Sequence, residues 1–206
     1  MMTGLLLITL IARTAPCAAP LPAELEEAQH WAAAKFAGSA EESLAQAGIQ
    51  VLVNNDPVQM NARNGRPLKI ADREYTRGLY CHAVSRVMVY LPGPGNRFEA
   101  VAGVDSNEQT SGGRGSVVFS VKAHDKTVWK SELMREGMAG VPVEVDLGGA
   151  RVFTLTVREG GDGISCDQAD WADARVLLED GSEVWLGDMQ QLGAQPDFRP
   201  VFQEDP

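Results

Sequence analysis

The 206-residue chain predicts an all-β sandwich preceded by a single helix, and three observations carry that prediction. Apolar residues recur at helical spacing before residue 48 and at every second position after it, the change of period that separates helix from half-buried strand. Turn residues punctuate the later part at short intervals, as antiparallel strands with short connections require. The length suits one well-buried core with extra segments and is short for two.

Taken in order, Gly4 to Ala12 read GLLLITLIA, followed by Arg13 and the stretch APCAAP. That run is too short to span a bilayer and has the length of a secretory h-region, although no Lys or Arg precedes it. The expectation is a signal segment over 1–19 and a secreted or periplasmic protein. A helical extension is expected over 20–48, where Leu25, Ala28, Ala32 and Phe36 share a face. Glu24, Glu26 and Glu27 fall in its first turn, where acidic groups complement the helix dipole.

The sandwich is expected over 49–187. Its clearest rows are Val87, Val89 and Leu91; Val117, Phe119 and Val121; Val143, Val145 and Leu147; and Phe153, Leu155 and Val157. Each alternates with residues of the opposite face, so each can bury one side of a strand. Loops separate them at Pro92–Gly95, Asp105–Gly115, Gly137–Pro142 and Gly160–Asp170. From Asp188 the composition turns to Gln, Gly, Pro and Asp, which reads as a linker over 188–206.

Charge excludes some partners. Eighteen Lys and Arg against 28 Asp and Glu give a net charge of -10, which repels phosphate backbones and anionic headgroups, so neither nucleic acid nor membrane is an expected partner. The chain lacks GxSxG, HExxH and GxxxxGK signatures, and no nucleophile with its base suggests itself. No catalytic residue is expected; a glycosidase reading would need two carboxyl groups facing each other across a cleft, with Asp105 and Asp170 the pair on offer.

The loops hold the binding candidates. Asp105, Asn107 and Arg114 lie in a glycine-rich segment that mixes carboxylate, amide and guanidinium groups, a combination suited to sugar hydroxyls and equally able to close a solvated turn. His82 is a further candidate, as ligand donor or as structural residue. Asp162, Asp167, Asp170 and Asp173 fall within twelve residues, a density that calcium relieves. The first three are the metal candidates, against the alternative that Asp167 and Asp170 cap turns. Trp171 is either a platform for a pyranose ring or a core residue. If cleavage removes Cys17, Cys81 and Cys166 remain, as a disulfide stabilising by roughly 4 kcal/mol in the chain-entropy model or as two buried thiols.

Four stretches, in order, carry a resemblance: Arg77 to Ser85 (RGLYCHAVS), Phe98 to Asp105 (FEAVAGVD), Gly115 to Val121 (GSVVFSV) and Asp162 to Ala174 with its DQADWADA segment. Over about residues 67–180 the chain resembles the NPCBM family of carbohydrate-binding modules. The resemblance implies a galactose-binding-like jelly roll attached, in cis or trans, to a glycoside hydrolase such as an α-galactosidase. It further implies terminal galactose-type sugars as ligands, calcium as a cofactor of related modules, and no catalytic role. Two departures stand out: Gln168 replaces the histidine of many members, and Gly78-Leu79-Tyr80 replaces a glycine-rich segment. The rival reading is a structural accessory domain that binds no sugar and exposes an apolar patch toward a catalytic neighbour.

Overall fold

The computed structural model describes residues 46–196; the expected signal segment, Cys17, the Ala23–Ala37 helix and residues 197–206 lie outside them. The fold is all-β. Fourteen strands run in order as β1 (Gly48–Val53), β2 (Gln59–Met60), β3 (Leu68–Ile70), β4 (Arg73–Tyr75), β5 (Gly78–His82), β6 (Ser85–Tyr90) and β7 (Gly95–Val104). They continue as β8 (Ser116–Ala123), β9 (Lys126–Lys130), β10 (Met134–Arg135), β11 (Val141–Asp146), β12 (Val152–Glu159), β13 (Gln168–Leu178) and β14 (Glu183–Trp185).

Two antiparallel sheets hold most of them. The first has the order β1-β6-β12-β8-β10, with β9 also on β8; the second has the order β11-β7-β13-β5-β2, with β14 also on β13. A two-stranded ribbon, β3-β4, stands apart. Few neighbours in either sheet are consecutive in sequence, so register is fixed by which side chains must face inward rather than by hairpin turns.

All four predicted apolar rows are buried. The second and fourth come from β8 and β12 of the first sheet, and Phe119 and Phe153 meet Phe98 and Trp171 of the second. Trp171 is 0 % exposed. It lies edge-on to Phe119 at 5.0 Å between centroids and to Phe98 at 6.0 Å, with Trp129 of β9 at 6.2 Å. Such edge-to-face contacts set the ring positive edge against the negative face of its neighbour. Close strand approach beneath this cluster needs Gly78, whose φ is +132° and whose missing Cβ would meet the Trp171 carbonyl.

A second, smaller core lies on the outer face of the second sheet. Leu68, Ile70 and Tyr75 of the β3-β4 ribbon cover Tyr80 and Ala172, so this part of the sheet is buried on both sides. Segment 189–196, expected as part of a linker, instead follows β1: Ile49 N–H donates to Gln190 O at 2.8 Å and Leu192 N–H to Ile49 O at 2.7 Å. The Gln195 side chain both accepts from Val58 N–H (2.7 Å) and donates to Val58 O (2.9 Å). A glutamine amide can replace a missing strand partner in this way, which composition alone does not disclose.

Trp171→Ala removes the ring shared by both sheets and should cost about 3–5 kcal/mol. Urea unfolding followed by far-UV circular dichroism measures this; a loss below about 1 kcal/mol would place the core's weight elsewhere.

Candidate functional site

The polar end of the second sheet is built on the loop between β7 and β8, residues 105–115. Asn107 folds this loop. Its Nδ2 donates to Asp105 O (3.2 Å), Asp105 Oδ1 (2.5 Å) and Gln168 Oε1 (2.6 Å), while its Oδ1 accepts from the Gln109 N–H at 2.8 Å. Thr110 Oγ1 adds a bond to Asp105 O at 2.6 Å and accepts from Asn107 N–H at 2.9 Å. The Gln168 amide in turn donates to Gln109 Oε1. These side-chain-to-backbone bonds add to the strand contacts at the start of the loop, where Asp105 N–H donates to Gln168 O at 2.9 Å and Ser106 N–H to Lys69 O at 2.6 Å.

Beneath the loop, Asp105, Asp170, Tyr80 and Arg63 form a buried charged cluster. Arg63 Nε lies 3.6 Å from Asp105 Oδ1 and its guanidinium stands 5.7 Å from the Tyr80 ring centre. Arg63 Nη2 donates to Gln109 Oε1 at 3.1 Å, and Lys69 N–H to Asp105 Oδ2 at 3.3 Å. Burial, followed by the facing Asp105 carboxylate, pushes Asp170 well above the usual carboxylate range. Burial likewise raises the Tyr80 phenol. One arginine thus faces two carboxyl groups, and burial favours the protonated form of Asp170. Both carboxyl groups are closed off from solvent rather than set across a cleft, which removes the geometry a glycosidase needs.

Above this cluster is an open depression of about 410 Å³ lined by Lys69, Asp72, Ser106, Asn107, Glu108 and Glu136, among others. The Ser106 hydroxyl is buried without a hydrogen-bond partner. The depression offers an ammonium, carboxylates, hydroxyls and an amide within reach of one small polar ligand, the convergence a sugar-binding site requires. Arg63, Lys69, Ser106, Gln109 and Gln168 carry this end of the fold but were not sequence candidates. Ser106 and Gln109 lie in the marked Asp105–Gly115 loop and Gln168 is a departure from the family pattern, whereas Arg63 and Lys69 had no signal.

The sequence candidates are distributed unevenly. Asp105 and Asn107 meet in the loop as expected of neighbours, and Arg114 is exposed at its far end. His82 is buried on β5, with Nδ1 against Asn55 Nδ2 (3.1 Å) and Ala83 O (2.9 Å), and it does not line the depression. Trp171 is corrected to a core residue, because strand alternation turns it between the sheets where no sugar reaches.

The three metal candidates do not converge. Asp162 and Asp167 bracket Ser116, which donates Oγ to Asp162 Oδ1 and N–H to Asp167 Oδ1 at 2.7 Å, and Arg135 Nη2 stands 3.4 Å from Asp162 Oδ2. Asp170 belongs to the Asp105 cluster. Among the described residues no three His, Cys, Asp or Glu side chains are placed to hold an ion, so the predicted aspartate set does not fit one calcium. Asp167 Oδ2 has no hydrogen-bond partner. Cys81 and Cys166 are free thiols, not a disulfide: Cys81 points into the core from β5 and Cys166 sits in the loop before β13 at φ +65°.

The fold and site together define an antiparallel β-sandwich module whose polar loops, not its core, face solvent. The chain belongs to the NPCBM/NEW2 domain family, whose model matches residues 29–177. It is 34 % identical over 121 residues to the alpha-1,3-galactosidase B of Akkermansia muciniphila, covering 52 % of this chain and 13 % of that one. A Renibacterium salmoninarum protein, named as an endo-alpha-N-acetylgalactosaminidase, is 31 % identical over 128 residues, 59 % of this chain and 8 % of its own. The chain therefore spans only a small part of these curated relatives. The CBM51 module of Clostridium perfringens GH95, solved in complex with methyl-galactose, superposes with a TM-score of 0.55 at 28 % identity, covering 61 % of this chain and 91 % of that module. The C. perfringens ZmpB structure, an M60 catalytic domain with CBM51-1 and CBM51-2, gives 0.57 at 27 % identity over 63 % and 14 % of the two chains. These solved likenesses are to structures that contain carbohydrate-binding modules. No helix among the described residues is long and apolar enough to cross a membrane.

Two measurements check the site. Burial, opposed by the Ser116 N–H and aided by Asp162 and Glu159, pushes Asp167 up to about 6. A raised folded-state value favours the folded protein below the unfolded value near 4 and loses that advantage as pH rises through about 6. Asp167→Asn should therefore melt higher than the parent at pH 8, with the gap closing as pH falls below about 6; a gap independent of pH would refute the burial argument. A maleimide reagent should modify Cys166 in the native protein and leave Cys81, whose thiol burial raises to about 12, until the chain is unfolded.

Proposed function

We propose that this chain is a non-catalytic carbohydrate-binding module that holds an associated glycoside hydrolase, in cis or trans, on glycans ending in galactose-type sugars. The observation that supports it most is the likeness to the C. perfringens GH95 module in complex with methyl-galactose, matched over 91 % of that module's length. The depression beside the β7–β8 loop is the ligand site in this reading, with Lys69, Ser111 and Glu108 supplying hydrogen bonds to sugar hydroxyls. The sandwich is a galactose-binding-like jelly roll, and the module acts outside the cytoplasm. Weak binding suffices for such a task, because attachment raises the effective concentration of the catalytic partner at its polymer.

One observation favours a second reading, a structural domain that packs on a neighbour without binding sugar. Among the described residues the exposed large apolar side chains, Val128, Leu133, Met138 and Val141, fall between residues 128 and 141, in or beside the edge strands β9, β10 and β11. Apolar groups gathered at a sheet edge suit a protein contact.

A glycan array separates the two, run with calcium and again with EDTA because the aspartate-rich loop raises calcium as a cofactor. Selective retention of galactose-terminated glycans supports the module. Retention lost in EDTA assigns an ion to recognition, and retention indifferent to EDTA dispenses with it. Silence across the array favours the structural reading. Lys69→Ala should weaken methyl-galactose binding by about tenfold in titration calorimetry, the loss of one charge-assisted hydrogen bond.

A further inference from the structure

The outer face of the first sheet forms a groove of about 1100 Å³, larger than the depression beside the β7–β8 loop and on the other sheet. Its lining includes four Lys or Arg side chains, Arg86, Lys122, Arg151 and Arg158, and one carboxylate, Asp125, in a chain whose net charge is -10. Asp125 is fully exposed and 3.6 Å from Lys122. Among the described residues the charge of the lining is therefore opposite in sign to that of the whole protein, and a concave wall concentrates its field.

Strand register orders the groups. Met88, Thr154, Lys122 and Thr127 stand side by side across β6, β12, β8 and β9, and Arg86, Thr156 and Ser120 form the next row. Arg158 continues β12 two residues beyond Thr156 on the same face. Hydroxyl-bearing residues are thus interspersed with cations: Lys122 stands between Thr154 and Thr127 in one row, and Arg86 ends the other. Two strand spacings across and two residues along separate Arg86 from Lys122, so they are based about 12 Å apart, wider than one sugar ring. Phe153 is the Phe, Tyr or Trp side chain of the lining and it is buried, while the exposed ring is that of His124, whose Nε2 lies 3.0 Å from Leu147 O, so the lining lacks the broad aromatic platform that holds a neutral pyranose or a nucleobase by stacking.

We propose that this face is a second binding surface, selective for saccharide chains that carry more than one anionic group, as carboxylate or sulfate. That the ligand is a saccharide rests on the module reading above; the charge pattern goes beyond it. The cations take the anionic groups, and the Ser and Thr side chains beside them take ring hydroxyls.

The test uses the full chain in affinity electrophoresis with four probes: oligogalacturonate, chondroitin sulfate oligosaccharide, neutral galacto-oligosaccharide and a DNA oligonucleotide of matched charge. At low salt the two anionic saccharides distinguish carboxylate from sulfate, and at least one is expected to bind, weakening by about tenfold at several times physiological ionic strength. The double variant Lys122→Glu/Arg158→Glu, its fold checked by circular dichroism, should bind that probe about tenfold or more less tightly. Arg73→Glu, on the ribbon over the other sheet, should leave binding unchanged. Failure of both anionic saccharides to bind, equal loss in Arg73→Glu, or equally tight binding of DNA would overturn the proposal. Neutral-glycan binding retained in the double variant separates the two surfaces. A silent neutral array with anionic binding intact would remove the galactose reading and leave this one standing.

Discussion

The interlock of Trp171 with Phe98, Phe119 and Phe153 is the contact on which the rest of the sandwich depends. Two sheets that share no hydrogen bonds are held by what lies between them, and large rings bury most area per residue. Trp171 belongs to β13, which also pairs with β7, β5 and β14. Fixing its ring therefore fixes the strand that organises the second sheet.

The same strand governs the polar end. Alternation that turns Ala169 and Trp171 inward turns Gln168 and Asp170 outward, where they meet Asn107 and the Asp105–Arg63 cluster. A loop anchored by Asn107 and Thr110 to a central strand is stiffer than one closed only by its own turn. The depression inherits that rigidity, and a preformed site loses less conformational freedom on binding a small polar ligand. The buried carboxyl pair under it contributes position rather than chemistry: one arginine faces it, burial favours the protonated form of Asp170, and solvent is excluded.

The two sheets present different outer faces. Part of the second sheet is covered by the β3-β4 ribbon beside the acidic, amide-rich depression, whereas the groove on the first is lined, among the described residues, by cations and hydroxyls. A single net charge hides this division, because it sums over faces that no ligand sees together.

Sequence by itself determined the all-β class and the four apolar rows, because a period of two is a local property that survives whatever the neighbours are. It also marked the β7–β8 loop, through Asp105 and Asn107 and their glycines. What it left open was orientation and convergence. Trp171 could have stacked on a sugar or filled the core, and only the pairing of β13 with β7 and β5 decided which face it takes. Closeness in sequence suggested that Asp162, Asp167 and Asp170 act together, yet the fold sends the first two to Ser116 and the third to Asp105. Cys81 and Cys166 invited a bridge by their count, and their placement in a strand core and a loop kept them apart. Arg63 and Lys69 reach the site from 36 to 42 residues away along the chain from Asp105. Local pattern fixes which face a residue prefers, but contacts over such separations exist only once the strands are paired.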